Sequence, residues 1–159
     1  MDKTQLLKEI VAKLSENLRM LENAARASHA EATHESSKAE NKYDTRGLEA
    51  AYLAGGQARQ AREILDSIQV FQSLAVKAFE SDEPIEMTAL VELESAGVRN
   101  TYFIGPKSGG LEIEFQGKEI TLITPQSPLG QNLIQKRSGE RWTTGSGRSA
   151  IKYQILSVR

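Results

Sequence analysis

Residues that break helices are almost absent from the first half of this chain and crowded into the second. No proline occurs before Pro84, and the first glycine is Gly47. All four prolines, and nine of the twelve glycines, lie after residue 80. Proline removes a helix donor and glycine costs backbone entropy, so their distribution separates two kinds of local structure. The first half is free to form long helices. The second must fold as short elements joined by turns. The stretch Glu80-Ser-Asp-Glu-Pro84 is the natural boundary.

Periodicity agrees with that division. Leu7, Ile10, Leu14, Leu18, Leu21 and Ala25 recur at three- and four-residue steps, with Leu6 and Val11 widening the stripe. A second stripe runs Ala51, Ala54, Ala58, Ala61, Leu65, Ile68, and Ala75 continues it. Each suits one helix of an antiparallel coiled-coil hairpin over residues 1–79. Residues 30–46 carry almost no apolar anchor and form the tip, where the chain reverses. A helix from Lys3 to Ala30 would be about 40 Å long. Alanines near the tip and Leu65, Ile68, Phe71 and Leu74 near the base imply a stable base and a thin tip. Gly55-Gly56 interrupts the second stripe; a kink, a close helix contact or simple tolerance would each accommodate it.

Residues 85–159 read as strands: Met87–Glu94, Asn100–Ile104, Leu111–Phe115, Glu119–Thr124, Glu140–Thr143 and Ala150–Val158. Ser127 can cap a short helix, with Pro128 at its first position and Gly139 as its end. The expected class is α+β: a helical hairpin, then a small antiparallel sheet of about five strands with one helix across it.

Composition limits the functions open to such a chain. It has no cysteine, which excludes disulfides and cysteine-based zinc sites. A net charge of −1 gives no general attraction to nucleic acid. No apolar run approaches a membrane span, and Met1–Arg19 lacks a signal-peptide pattern, so a soluble cytoplasmic protein is expected, with no membrane partner. His29 and His34 lie five apart and do not share a helix face, which argues against a metal site there. The last 24 residues hold Lys136, Arg137, Arg141, Arg148, Lys152 and Arg159 against one acid, Glu140. That basic end could meet an acidic protein surface or nearby nucleic acid, or be ordinary solubilising charge. Trp142, in a strand beside Arg141, is expected to pack rather than to bind.

Residues 125–139 read Pro-Gln-Ser-Pro-Leu-Gly-Gln-Asn-Leu-Ile-Gln-Lys-Arg-Ser-Gly and follow the strand-like Glu119–Thr124. Together with the helical first half, this run resembles the bacterial Gre (GreA/GreB) transcript-cleavage factors, which are transcription elongation factors. Arg148–Val158 looks like that family's final strand. The resemblance implies an FKBP-like sheet domain that clamps the rim of the RNA polymerase secondary channel, with Ser127, Pro128, Leu129 and Gly130 at the contact. It also implies a hairpin inserted into the channel.

At the tip, Lys38-Ala-Glu-Asn-Lys-Tyr43 looks like the family's stretch of an acid, Asn and a following Tyr. There the family carries two carboxylates that help the polymerase hold a second Mg2+ and orient water against the nascent RNA 3′ end. Two metals bracketing a phosphodiester stabilise both the attacking and the leaving oxygen, and Mg2+ needs only one or two protein carboxylates. Here Glu40 precedes Asn41, but Ser37 stands where the Asp is expected, and Tyr43 comes one residue early. Asp44, four residues past Glu40, would share its helical face, and Glu35 is a substitute. The resemblance therefore implies an accessory factor, not an enzyme in itself, with no intrinsic cofactor and with Mg2+ shared with the polymerase. The departure at Ser37 leaves open a channel-occupying modulator that cannot stimulate cleavage. A third reading, an FKBP-like prolyl isomerase or chaperone, needs an aromatic-lined pocket built from Tyr102, Phe103, Phe115, Trp142 and Tyr153.

Overall fold

The structure, a computed structural model, describes residues 2–32, 46–80, 82–147 and 150–159; for 29–32 and 46–51 it describes the backbone alone. The elements are α1 (Lys3–Ala32), α2 (Arg46–Ser73), β1 (Leu90–Ser95), β2 (Val98–Ile104), β3 (Glu112–Phe115), β4 (Lys118–Ile123), α3 (Pro128–Leu133), β5 (Arg141–Thr144) and β6 (Ile151–Val158). A long helical hairpin thus precedes a sheet with one helix, as the glycine and proline distribution requires. The chain forms two compact units: Met1–Glu9 with Ser73–Arg159, and Ile10–Gln72.

In the hairpin unit, α1 shows the expected stripe. Ile10 and Leu14 are buried, and Leu18, Leu21 and Ala25 are half-buried on the same line. The α2 stripe is rotated from the alanine line. Ser67 and Phe71 are buried, while Leu65 is 46% exposed and Ala54 and Ala58 are exposed. Alanine adds little burial energy wherever it points, so its spacing is a weak guide to the packed face. The single Phe71 side chain outweighs it. Buried Ser67 is satisfied within its own helix, donating to the Glu63 carbonyl at 2.8 Å. No residue of 15–28 or 52–66 is buried.

The sheet has six strands in the order β3-β4-β2-β1-β6-β5. One more strand is present than the expected five, and one junction, β2 with β4, is parallel. Two turns set its hairpins. Ala96-Gly97 and Gln116-Gly117 are two-residue loops with both residues at positive φ, the turn form whose twist matches paired strands. β1 begins three residues later than the alternation suggests, because Thr88 sits at φ +70 and breaks the extended run.

One face of the sheet carries Val91, Leu93, Ile104, Ile123, Ile155 and Val158, with Ile85, Ala89 and Leu133 of α3 packed in the same cluster. Leu90, Phe103, Ile120 and Leu122 alternate with these residues and are buried as well. The sheet is therefore apolar on both faces over its centre. Expressed per side chain, that burial is worth roughly 1.5–3 kcal/mol each.

The first turn of α1 belongs to this unit. Asp2 caps it, its Oδ1 accepting from the Thr4 and Gln5 N–H groups at 2.9 and 3.2 Å. Lys3 Nζ donates to the carbonyls of Thr88 at 3.1 Å, of Arg159 at 3.0 Å, and of Lys77. The same ammonium lies 4.6 Å from the Phe79 ring centre. Three separate segments are thus tied by one side chain. Burial, and then the Lys77 ammonium, lowers the Lys3 pKa to about 8.

Candidate functional site

The segment after β4 is built almost entirely by local rules. Ser127 has an extended backbone and accepts from the Gly130 N–H at 3.1 Å, so it is the N-cap of α3. Its hydroxyl also donates to the Thr124 carbonyl at 2.8 Å, closing the turn that leaves β4. Pro128 opens the helix, where its missing N–H costs nothing. The helix ends at Ile134, whose N–H donates to the Gly130 carbonyl at 2.9 Å. The end therefore comes five residues before Gly139, the expected stop.

Gly130 has a reason that spacing alone does not show. A Cβ built there would lie 1.9 Å from the Thr124 carbonyl oxygen and 2.9 Å from its carbon. Both are backbone atoms, so no side chain can move aside. Leu129 packs against the core and Leu133 is fully buried in it. Of the four residues Ser127–Gly130, Pro128 alone is exposed. Its exposed neighbours are Gln126, Gln131 and Asn132. Gln131 Nε2 donates to the Gln126 carbonyl at 3.0 Å, and Asn132 Nδ2 to the Pro128 carbonyl at 2.8 Å. The result is a rigid, uncharged knob. The Ser127 and Leu129 side chains and the bare Gly130 backbone hold it in shape, and a proline flanked by carboxamides forms its outer surface.

The knob is pinned from behind. Ile85 N–H donates to the Lys136 carbonyl at 2.7 Å, and the Gln135 N–H returns to the Ile85 carbonyl at 2.9 Å. At the boundary the Glu83 N–H donates to the Glu80 carbonyl, and Glu83 Oε2 accepts from the Glu80 N–H at 3.0 Å. That bond, then the Lys77 ammonium at 3.1 Å, holds the Glu83 carboxyl below its usual range.

The expected tip acids Glu35, Glu40 and Asp44, like Ser37 and His34, lie outside the described residues, as does the His29 side chain. Among the described residues no cluster of three or more His, Cys, Asp or Glu could hold a metal ion, and no helix is long and apolar enough to cross a membrane.

The aromatic residues proposed for an isomerase pocket are committed to packing. Phe103 and Phe115 are buried. Trp142 and Tyr153 stack at 4.9 Å with an 11° tilt and rest against the core. Trp142 is thus a packing residue, as its place in a strand suggested. Tyr102, also against the core, has its phenol pushed up by burial and then by Tyr153. Several basic residues of the C-terminal end have partners: Lys136 reaches Glu140 at 3.6 Å, and Arg159 lies 4.0 Å from Glu92.

No protein-family model matches the chain, and no curated protein matches it in sequence. Solved structures of similar layout exist. Gfh1 of Thermus aquaticus is 21% identical, with 92% of each chain covered and a TM-score of 0.37. GreA factor homolog 1 of Thermus thermophilus is 16% identical, with 94% of each chain covered and a TM-score of 0.36. The transcription elongation factor GreA/GreB of Nitrosomonas europaea is 16% identical over 74% of this chain and 94% of its own, again at 0.36. At identities and TM-scores of that size, no function transfers from those proteins to this chain.

Proposed function

We propose that this chain is an accessory factor of bacterial RNA polymerase, of the Gre kind. The observation that carries the reading is a helical hairpin of 30- and 28-residue helices joined to a sheet whose β4 runs into the Ser127-capped, Gly130-dependent knob. A helix of 30 residues is about 45 Å long, a reach that suits a narrow channel. A rigid knob with a polar, uncharged outer surface suits a docking contact that must hold register. In this reading the sheet unit docks at the rim of the secondary channel through the surface around Ser127–Gly130, and the hairpin enters the channel. Glu40 with Asp44, or Glu35 in place of either, then presents carboxylates beside the polymerase's Mg2+. Those carboxylates promote hydrolysis of the extruded RNA 3′ end in backtracked complexes. The catalytic centre stays the polymerase's, and the chain brings no cofactor of its own.

Ser37, where the family's Asp is expected, favours a second reading: the same docking without cleavage, as a competitor that occupies the channel. One experiment separates the two. RNA 3′-end cleavage is followed in a stalled, backtracked complex while binding to the polymerase is measured in parallel. Binding with accelerated cleavage that is lost in Glu40→Ala or Asp44→Ala supports the first reading. Binding without acceleration supports the second. Absence of binding overturns both.

A further inference from the structure

β5 is one free edge of the sheet, and its chemistry points to an occupant. Along the face opposite Trp142, the register sets Arg99, Glu94, Gln154 and Arg141 side by side across four strands. Glu94 is taken by Arg99, at 3.2 Å. Arg141 and its neighbour Lys152 are both exposed and have no acidic partner among the described residues. They line a shallow groove of about 490 Å³ with Thr143, Gln154, the Ala96-Gly97 turn, Trp142, Tyr153 and Glu94, the acid already paired with Arg99. The main chain offers the other half of the recognition. Ile155 N–H donates to the Glu140 carbonyl at 2.9 Å. The two-residue alternation of an antiparallel ladder then turns the N–H and C=O groups of Arg141 and Thr143 outward, away from β6.

We propose that the β5 edge is a docking site for an extended, acidic segment of a partner protein, which adds to the sheet as a seventh strand. The inference does not depend on the polymerase reading. Main-chain hydrogen bonds to Arg141 and Thr143 hold such a strand, and alternate side chains select it. On the groove side its carboxylates meet Arg141 and Lys152. On the other side its apolar residues cover the half-buried Trp142. A single-stranded nucleic acid fits less well. It has no ladder to offer this edge, and the rings of Trp142 and Tyr153 are stacked on each other instead of being splayed to receive bases. Trp142 and Thr144 already face β6, so the edge is short, and affinity depends strongly on the two cations.

The probe is an N-acetylated ten-residue peptide of alternating Glu and Val, titrated into the full chain at low salt and followed by amide chemical shifts and hydrogen exchange. Shifts confined to 141–144, 152–154 and 96–97, with new protection of the Arg141 and Thr143 amides, are expected. Arg141→Glu with Lys152→Glu should weaken binding about tenfold or more, and added salt should weaken it too. Thr143→Pro, which removes one outward donor, should abolish the new protection. If that variant loses the wild-type spectrum elsewhere, the charge-reversal pair alone decides. Equal binding of a Lys-Val peptide, tighter binding of a ten-nucleotide single-stranded RNA, or no shifts at millimolar peptide would each overturn the proposal.

Discussion

The sheet unit and the outer hairpin are held by different means. In the sheet unit, side chains are buried on both faces, and a single main-chain oxygen can dictate residue choice, as Thr124 does at Gly130. In the hairpin, among the described side chains, burial ends after Leu14 on α1 and does not begin again until Ser67 on α2. Between those points the helices rely on intrinsic propensity and half-buried contacts, and Leu53 is 55% exposed. The same residue type therefore means opposite things in the two places. Gly130 has no room for a methyl group, whereas a Cβ at Gly55 or Gly56 meets nothing within 4 Å. The open space removes a close helix contact, among the described residues, from the explanations for Gly55-Gly56.

Substitutions should exaggerate this contrast. The largest effect is expected from Phe103→Ala, which empties a fully buried site in the sheet and should destabilise by about 3–5 kcal/mol. The smaller truncation of half-buried Leu21 in the outer hairpin, Leu21→Ala, should cost less than half of that, and urea midpoints on the two variants test the ratio. Equal losses would mean the outer hairpin is better packed than its exposure shows.

Gly130→Ala comes next. The clash is with backbone, so β4 and α3 must separate, at a cost of about 3 kcal/mol or more. A near-neutral thermal shift would contradict the close approach to Thr124. Ser127→Ala removes a cap and the Thr124 bond together, and should cost about 1–2 kcal/mol by the same melting assay. In the hairpin the sign reverses. Gly55→Ala should stabilise by roughly 0.5–1 kcal/mol, read as raised helicity and melting temperature. A loss there would reveal that the glycine is needed.

The smallest effect concerns Lys3. Its pKa of about 8 in the folded chain lies below the ordinary 10.5, so the unfolded chain binds the proton more tightly. Stability from this group should therefore rise as pH climbs from about 8 towards 10.5. Comparing urea midpoints at both ends of that window, wild type should gain on Lys3→Met as the pH rises. A constant difference between the two would show that Lys3 titrates normally.

Much of the architecture was legible because it rests on local physics. The missing prolines and glycines allowed two long helices, and the α1 leucines marked a packed face through their bulk. Ser127-Pro128 announced a helix start, since capping involves atoms three residues apart. The α2 face was misread where alanines carried the pattern, because small side chains do not decide orientation. The tip acids Glu40, Asp44 and Glu35 were legible as residue types only, and they lie outside the described residues. The β5 groove left no mark in the sequence beyond an excess of basic residues, since Arg141, Lys152 and Glu94 meet only through register.

The sequence by itself determined the order of the elements, the length of the two long helices and the Ser127 cap of α3, because each follows from contacts within a few residues. Tertiary structure alone decided the rest. It joined β2 to β4 in parallel, turned α2 onto Phe71, drew Lys3 to three distant carbonyls and brought the Thr124 oxygen to Gly130. Those outcomes depend on which surfaces exclude water together and on which backbone groups find partners far along the chain. No local pattern encodes either.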